Sequence, residues 1–166
     1  TVTAKEVIIH PWYKRSSSTI YNRVPYHKMA YDACLIRTDP IQFSRLGATI
    51  GRATLTSDEP TPAVGLAGEK LSKEFCTVAG WGVTESGAKS PVIRSADVRV
   101  TTTAFCENLE STDRVFRQFH ETYSFCAGGG GNDTCAGDSG GPLFCSIGQQ
   151  DVLMGITSLG PNRCGK

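Results

Sequence analysis

The chain has almost no charge imbalance. Seventeen Lys and Arg stand against sixteen Asp and Glu, a net charge of +1. Nothing in that balance calls for nucleic acid or an anionic membrane surface as a partner. No apolar run approaches the roughly 20 residues needed to span a bilayer. The opening Thr1-Val2-Thr3-Ala4-Lys5 lacks the apolar stretch of a signal segment. Histidine is scarce: His10, His27 and His120 are the three, and none follows position 120. The cysteines, at 34, 76, 106, 126, 135, 145 and 164, include no C-x-x-C pair, which argues against a structural zinc site. Seven cysteines in 166 residues is high for a reducing compartment. Disulfides and a secreted, extracellular protein are therefore expected. Hydrophobic content of 39% and charged content of 20% are enough for a globular core.

The most informative stretch runs from Asn132 to Pro142, N-D-T-C-A-G-D-S-G-G-P. It sets Ser139 between Gly137 on one side and Gly140 and Gly141 on the other. Glycines let the backbone turn sharply and adopt φ > 0. A loop of that kind can aim successive N–H groups at one point, as an oxyanion site requires. A hydroxyl beside that point is a candidate nucleophile. The plain alternative is a glycine-rich surface turn. Cys135, Asp133 and Asp138 make this loop more constrained than such a turn.

Three kinds of serine site fit the pattern, and histidine placement separates them. Gly137-Asp138-Ser139-Gly140-Gly141 matches the G-x-S-x-G elbow of α/β-hydrolases, which needs its histidine after the serine. None follows, so that reading fails. A phosphate-binding loop would close on Lys-Ser or Lys-Thr, and this one does not. The remaining reading is an acyl-transfer site in the chain order His, Asp, Ser.

At this point the sequence resembles a known family. C-x-G-D-S-G-G-P at Cys135–Pro142 is similar to the nucleophile loop of trypsin-like serine proteases. Tyr31-Asp32-Ala33-Cys34-Leu35-Ile36 resembles that family's D-I-A-L segment. Cys76-Thr77-Val78-Ala79-Gly80-Trp81-Gly82 resembles its C-x-V-x-G-W-G. Phe125-Cys126-Ala127-Gly128 resembles F-C-A-G, and Gly155-Ile156-Thr157-Ser158-Leu159-Gly160 resembles G-I-V-S-W-G. The five segments keep the family's order over most of the chain.

The resemblance implies an all-β fold: two six-stranded antiparallel β-barrels of the chymotrypsin type, here truncated at both ends. Residues 1–53 would be the C-terminal part of the first barrel, 54–66 an inter-barrel linker, and 67–166 most of the second. It implies disulfides Cys76–Cys145, Cys106–Cys126 and Cys135–Cys164. Cys34 is left over, and a buried free thiol on a strand is the expectation; pairing with a cysteine outside the chain is the alternative.

The pattern along the chain agrees with an all-β class. Glu6–Ile9, Ala33–Ile36, Phe75–Trp81 and Val92–Val100 read as strands. Lys14–Thr19 reads as a surface loop. Thr54–Pro62, with two prolines, reads as linker rather than central strand. The segment from Cys106 to His120 is loosely helical.

The site that the resemblance implies is as follows. Ser139 is the nucleophile and Asp32 the carboxylate that orients the histidine and stabilises its cation. The N–H groups of Gly137 and Ser139 form the oxyanion hole. Asp133, six residues before the serine, lies at the floor of a specificity pocket, where a buried carboxylate favours a substrate Arg or Lys. Gly160 is a pocket wall, and Ser158 bonds near Asp32. Leu159 replaces the usual Trp, and Ala136 a longer residue at the pocket mouth. Asp138 pairs with an N-terminal amine released by activation cleavage. Asn132-Asp133-Thr134 is also a glycosylation acceptor pattern, discounted because a glycan would crowd the pocket.

The family's base lies in T-A-A-H-C, and no such motif occurs here. His10 sits before a proline in a structural position. His27 lies five residues from Asp32, too close to be the base. His120 falls between Asp32 and Ser139, which is the subtilisin order, but nothing else resembles subtilisin. The expected function is a serine endopeptidase, made as a zymogen, cleaving after Arg or Lys, with the base lying upstream of residue 1 and the chain alone inactive. Its partners would be peptide substrates and protein inhibitors, and no metal or cofactor is needed. The competing readings are a non-catalytic homologue that binds or regulates, and a disulfide-rich binding module with no site.

Overall fold

A computed structural model describes residues 2–13, 31–43, 51–55, 75–102, 104–106, 108, 124–128, 131–147, 149–160 and 164–165. Eight strands carry these residues, in two sheets. Strands β1 (Ala4–Ile9) and β2 (Cys34–Thr38) form an antiparallel ribbon, with Val7 opposite Ile36 and Ile9 opposite Cys34. Lys5 pairs with Asp39 at 3.2 Å and Arg37 with Glu6 at 2.9 Å. Exposed pairs of this kind contribute about 0–1 kcal/mol.

The second sheet holds β3 (Thr54–Leu55), β4 (Phe75–Gly80), β5 (Arg94–Val100), β6 (Ala127–Gly128), β7 (Pro142–Ile147) and β8 (Gln150–Ile156). Their order across the sheet is β3-β8-β7-β4-β5-β6. Every pairing is antiparallel except β3 with β8. Alternate residues point to one face, and that alternation builds the core. Cys76 and Val78 of β4, Val98 and Val100 of β5, and Leu143 and Cys145 of β7 are all buried together. Phe125, Ala127 and Met154 pack against them. Each valine so buried contributes about 1.5–3 kcal/mol. Cys76 lies directly opposite Cys145 in the register, and their disulfide joins Cα atoms 4.3 Å apart. Cys106–Cys126 and Cys135–Cys164 complete the three bridges.

The all-β fold class is as expected; among the described residues one sheet has two strands and the other is an open six-stranded sheet with one parallel pair. One expectation is corrected: Cys34 is free, as expected, but exposed rather than buried. Among the described residues no second layer covers the two-stranded ribbon, and Leu35, Ile36, Val7 and Ile9 are exposed with it.

The strands follow the sequence reading to within two or three residues. The stretch expected as a linker begins with the two-residue edge strand β3; residues 56–66 lie outside the described residues. So do Lys14–Thr19, His27, His120 and, apart from Asn108, the segment after Cys106; residues 104–106, where that segment begins, form a helical turn. Among the described residues no helix is long and apolar enough to cross a membrane.

Candidate active site

The serine loop leaves β6 and enters β7, and its shape comes from three interlocked features. Gly137 (φ 102°) and Gly140 (φ 82°) hold left-handed conformations that a side chain would strain. The amide of Asp138 donates to Cys135 O at 2.9 Å, and that of Gly141 to Asp138 O at 2.8 Å. The Asp138 carboxylate then braces the turn from inside. Its Oδ1 accepts the Gly82 amide at 2.7 Å and its Oδ2 accepts the Cys135 amide at 2.9 Å. Gly80 and Gly82 are required beside it, because a Cβ at either would overlap this carboxylate.

The loop is tied to the strand end beyond β8. The amide of Gly140 donates to Thr157 O at 2.8 Å, and that of Thr157 to Gly141 O at 2.9 Å. The next residue, Ser158, donates its hydroxyl to Asp32 Oδ2 at 2.6 Å. Asp32 lies two residues before β2, at the end of the other sheet. A continuous path of contacts thus links Asp32, Ser158, Thr157, Gly140 and Ser139.

Among the described residues, neither the Gly137 amide nor the Ser139 amide donates to any acceptor, and Ser139 Oγ has no partner. Ser139 is exposed. Both donors of the expected oxyanion hole are therefore free to meet an external oxygen.

Asp133 is half-buried. Its Oδ1 accepts the Thr134 amide at 2.8 Å and its Oδ2 the Gly165 amide at 3.2 Å. The Cys135–Cys164 bridge brings that second donor in. Two amides leave further acceptor capacity on each carboxylate oxygen. A Cβ at Gly160 would meet open space. Asn132 Nδ2 donates to Asp97 O at 3.0 Å.

Ahead of Asp32 the chain is held by aromatic rings. Tyr31 adopts φ 59°, unusual for a residue with a side chain. Its ring stacks on His10 at 4.6 Å and meets Trp12 edge-on at 5.4 Å. His10 Nδ1 accepts the Trp12 amide at 3.2 Å. His10 is thus engaged in structure, and it makes no hydrogen bond to Asp32 or Ser139. Sequence reading gave Asp138 only to an N-terminal amine; its bracing of Gly82 and Cys135 depends on a strand packing 56 residues away. The Tyr31 stack was also missed, since spacing alone cannot show which rings meet.

A sheet core that carries a glycine-bounded serine loop, with a carboxylate delivered to it from a second sheet, defines an all-β serine-protease scaffold. The chain belongs to the trypsin family: the family model described as Trypsin matches residues 1–166. Kallikrein 1-related peptidase b11 of Mus musculus is 33% identical over 165 residues, covering 95% of this chain and 53% of that protein. Inactive CLIP domain-containing serine protease A3 of Aedes aegypti is 31% identical over 138 residues, covering 79% of this chain and 28% of that protein. In structure, the chain is similar to neuropsin, a serine protease expressed in the limbic system of mouse brain. The TM-score is 0.66 at 26% identity, covering 99% of this chain and 62% of that one. The chain spans about half the length of the kallikrein-related peptidase it matches.

Proposed function

We propose that the protein containing this chain is a secreted serine endopeptidase that cleaves after Arg or Lys. The observation that supports this best is the path of contacts from Asp32 to Ser139, with the amides of Gly137 and Ser139 unclaimed beside the hydroxyl. In this reading Ser139 Oγ attacks the scissile carbonyl carbon. A histidine takes its proton, and Asp32 holds that histidine in the right tautomer. The carbonyl oxygen becomes an oxyanion between the two free amides; losing one such donor costs about 3–4 kcal/mol of transition-state stabilisation. The C–N bond then breaks as the proton passes to the leaving amine, and water hydrolyses the acyl-serine by the same steps. The base is assigned to a histidine outside the chain because the family's T-A-A-H-C motif does not occur in it; among the described residues His10 is engaged with Trp12 and Tyr31, and no hydrogen bond links it to Asp32.

Specificity rests on Asp133, whose carboxylate keeps room for a cation. Zymogen control rests on Asp138, which keeps acceptor capacity for an amine released by cleavage. Secretion rests on the three disulfides. Labelling of the whole protein by a fluorophosphonate, lost in Ser139→Ala, tests the nucleophile. A protein that binds no such label after activation would instead be a non-catalytic binding or regulatory homologue. The similarity to an inactive protease of Aedes aegypti supports keeping that second reading.

A further inference from the structure

Asn132-Asp133-Thr134 is an N-glycosylation acceptor pattern to which the mechanism above gives no task. The chain has four asparagines, Asn22, Asn108, Asn132 and Asn162, and only Asn132 has Ser or Thr two residues on. By sequence alone, its place next to Asp133 makes a sugar there crowd the proposed pocket. The structure ties the two side chains to different segments. Asn132 is exposed, and its Nδ2 donates to Asp97 O, on β5, at 3.0 Å. Asp97 is exposed as well. The Asp133 carboxylate instead accepts from the Thr134 and Gly165 amides, at 2.8 and 3.2 Å. A carboxamide nitrogen carries two hydrogens. The bond to Asp97 uses one of them, and among the described residues the other meets no acceptor.

Resting on the reading that the protein is secreted, we propose that Asn132 carries an N-linked glycan. The donor is a lipid diphosphate-linked oligosaccharide, used by the transferase of the secretory route. Asn132 Nδ2 forms a bond to C1 of the first N-acetylglucosamine. The C1–O bond to the lipid diphosphate breaks, the diphosphate leaves with that electron pair, and one amide proton is released. Nothing is oxidised or reduced. The transfer takes place on the unfolded chain, and the folded protein must then hold a bulky polar group at its surface. Asn132 meets that condition: the glycan replaces one amide hydrogen, and the other keeps the bond to Asp97 O. The three disulfides call for the same oxidising compartment in which the transferase works.

The test expresses the whole protein in cultured mammalian cells, collects it from the medium and treats it with peptide N-glycosidase F in heavy-oxygen water. The expected result is loss of the glycan's mass, with Asn132 converted to Asp bearing heavy oxygen in the peptide that carries it. In Asn132→Gln that conversion is absent. Thr134→Ala should lose the glycan as well, although the backbone bond from its amide to Asp133 is kept. Thr134→Ser should retain it, which ties the sugar to the acceptor pattern. Asn132 found bare in the secreted protein overturns this assignment and leaves secretion standing. Protein retained inside the cell with its cysteines reduced overturns both.

Discussion

Ser158 and Asp32 are 126 positions apart, yet the Ser158 hydroxyl donates to Asp32 Oδ2 at 2.6 Å. This bond joins the two-stranded ribbon to the six-stranded sheet at the serine loop. In Ser158→Ala the carboxylate keeps its place in the chain but loses a donor that orients it. We expect kcat of the activated protein to fall roughly threefold to tenfold with KM nearly unchanged, the scale of one hydrogen bond to a charged group at an exposed position. A kcat equal to that of the unaltered protein would show that the contact does not position Asp32.

Asp138 is the brace of the loop. Asp138→Asn replaces one acceptor oxygen by an NH2 group facing an amide, either Gly82 or Cys135. Loss of one of these bonds is expected to cost about 1–3 kcal/mol in urea denaturation. Labelling by a fluorophosphonate should fall further than stability does, because the Gly137 amide depends on this turn. Normal labelling in a folded variant would separate Asp138 from the oxyanion hole.

Gly82→Ala should act at the same place by sterics. Its new methyl would overlap the Asp138 carboxylate, so the brace must move. Thermal melting and labelling should both decline, and the Asp138→Asn/Gly82→Ala double variant should cost less than the sum of the two. Full additivity in urea denaturation would refute a shared cause.

Asp133→Ser removes the carboxylate from the proposed pocket floor. Cleavage after Arg or Lys should drop by at least a hundredfold relative to an apolar residue, read as kcat/KM on matched peptides. If basic residues remain preferred, the pocket lies elsewhere.

The Cys135–Cys164 bridge closes an interval of 29 residues and carries Gly165 to Asp133. Replacing both cysteines by Ala should cost about 3–4 kcal/mol by loop-closure arguments. It should also weaken binding of an arginine-mimetic benzamidine. Destabilisation with unchanged benzamidine affinity would assign the bridge to stability alone.

By itself the sequence determined the class of fold, the strands and the family to which the serine loop belongs. Short alternating runs such as Arg94–Val100 favour burial of one face, and the glycines around Ser139 permit a sharp turn with φ > 0. The motifs in order also carried the three cysteine pairings. Tertiary structure alone decided which distant groups share a hydrogen bond. It ties Asn132 to Asp97 of β5, 35 positions away. Packing brings Gly82 to Asp138 and Ser158 to Asp32. It also decided that Cys34 is exposed, since burial depends on a covering layer and not on the apolar character of a strand. Local preferences act over a few residues, whereas contacts across 56 or 126 positions exist only once the sheets have assembled.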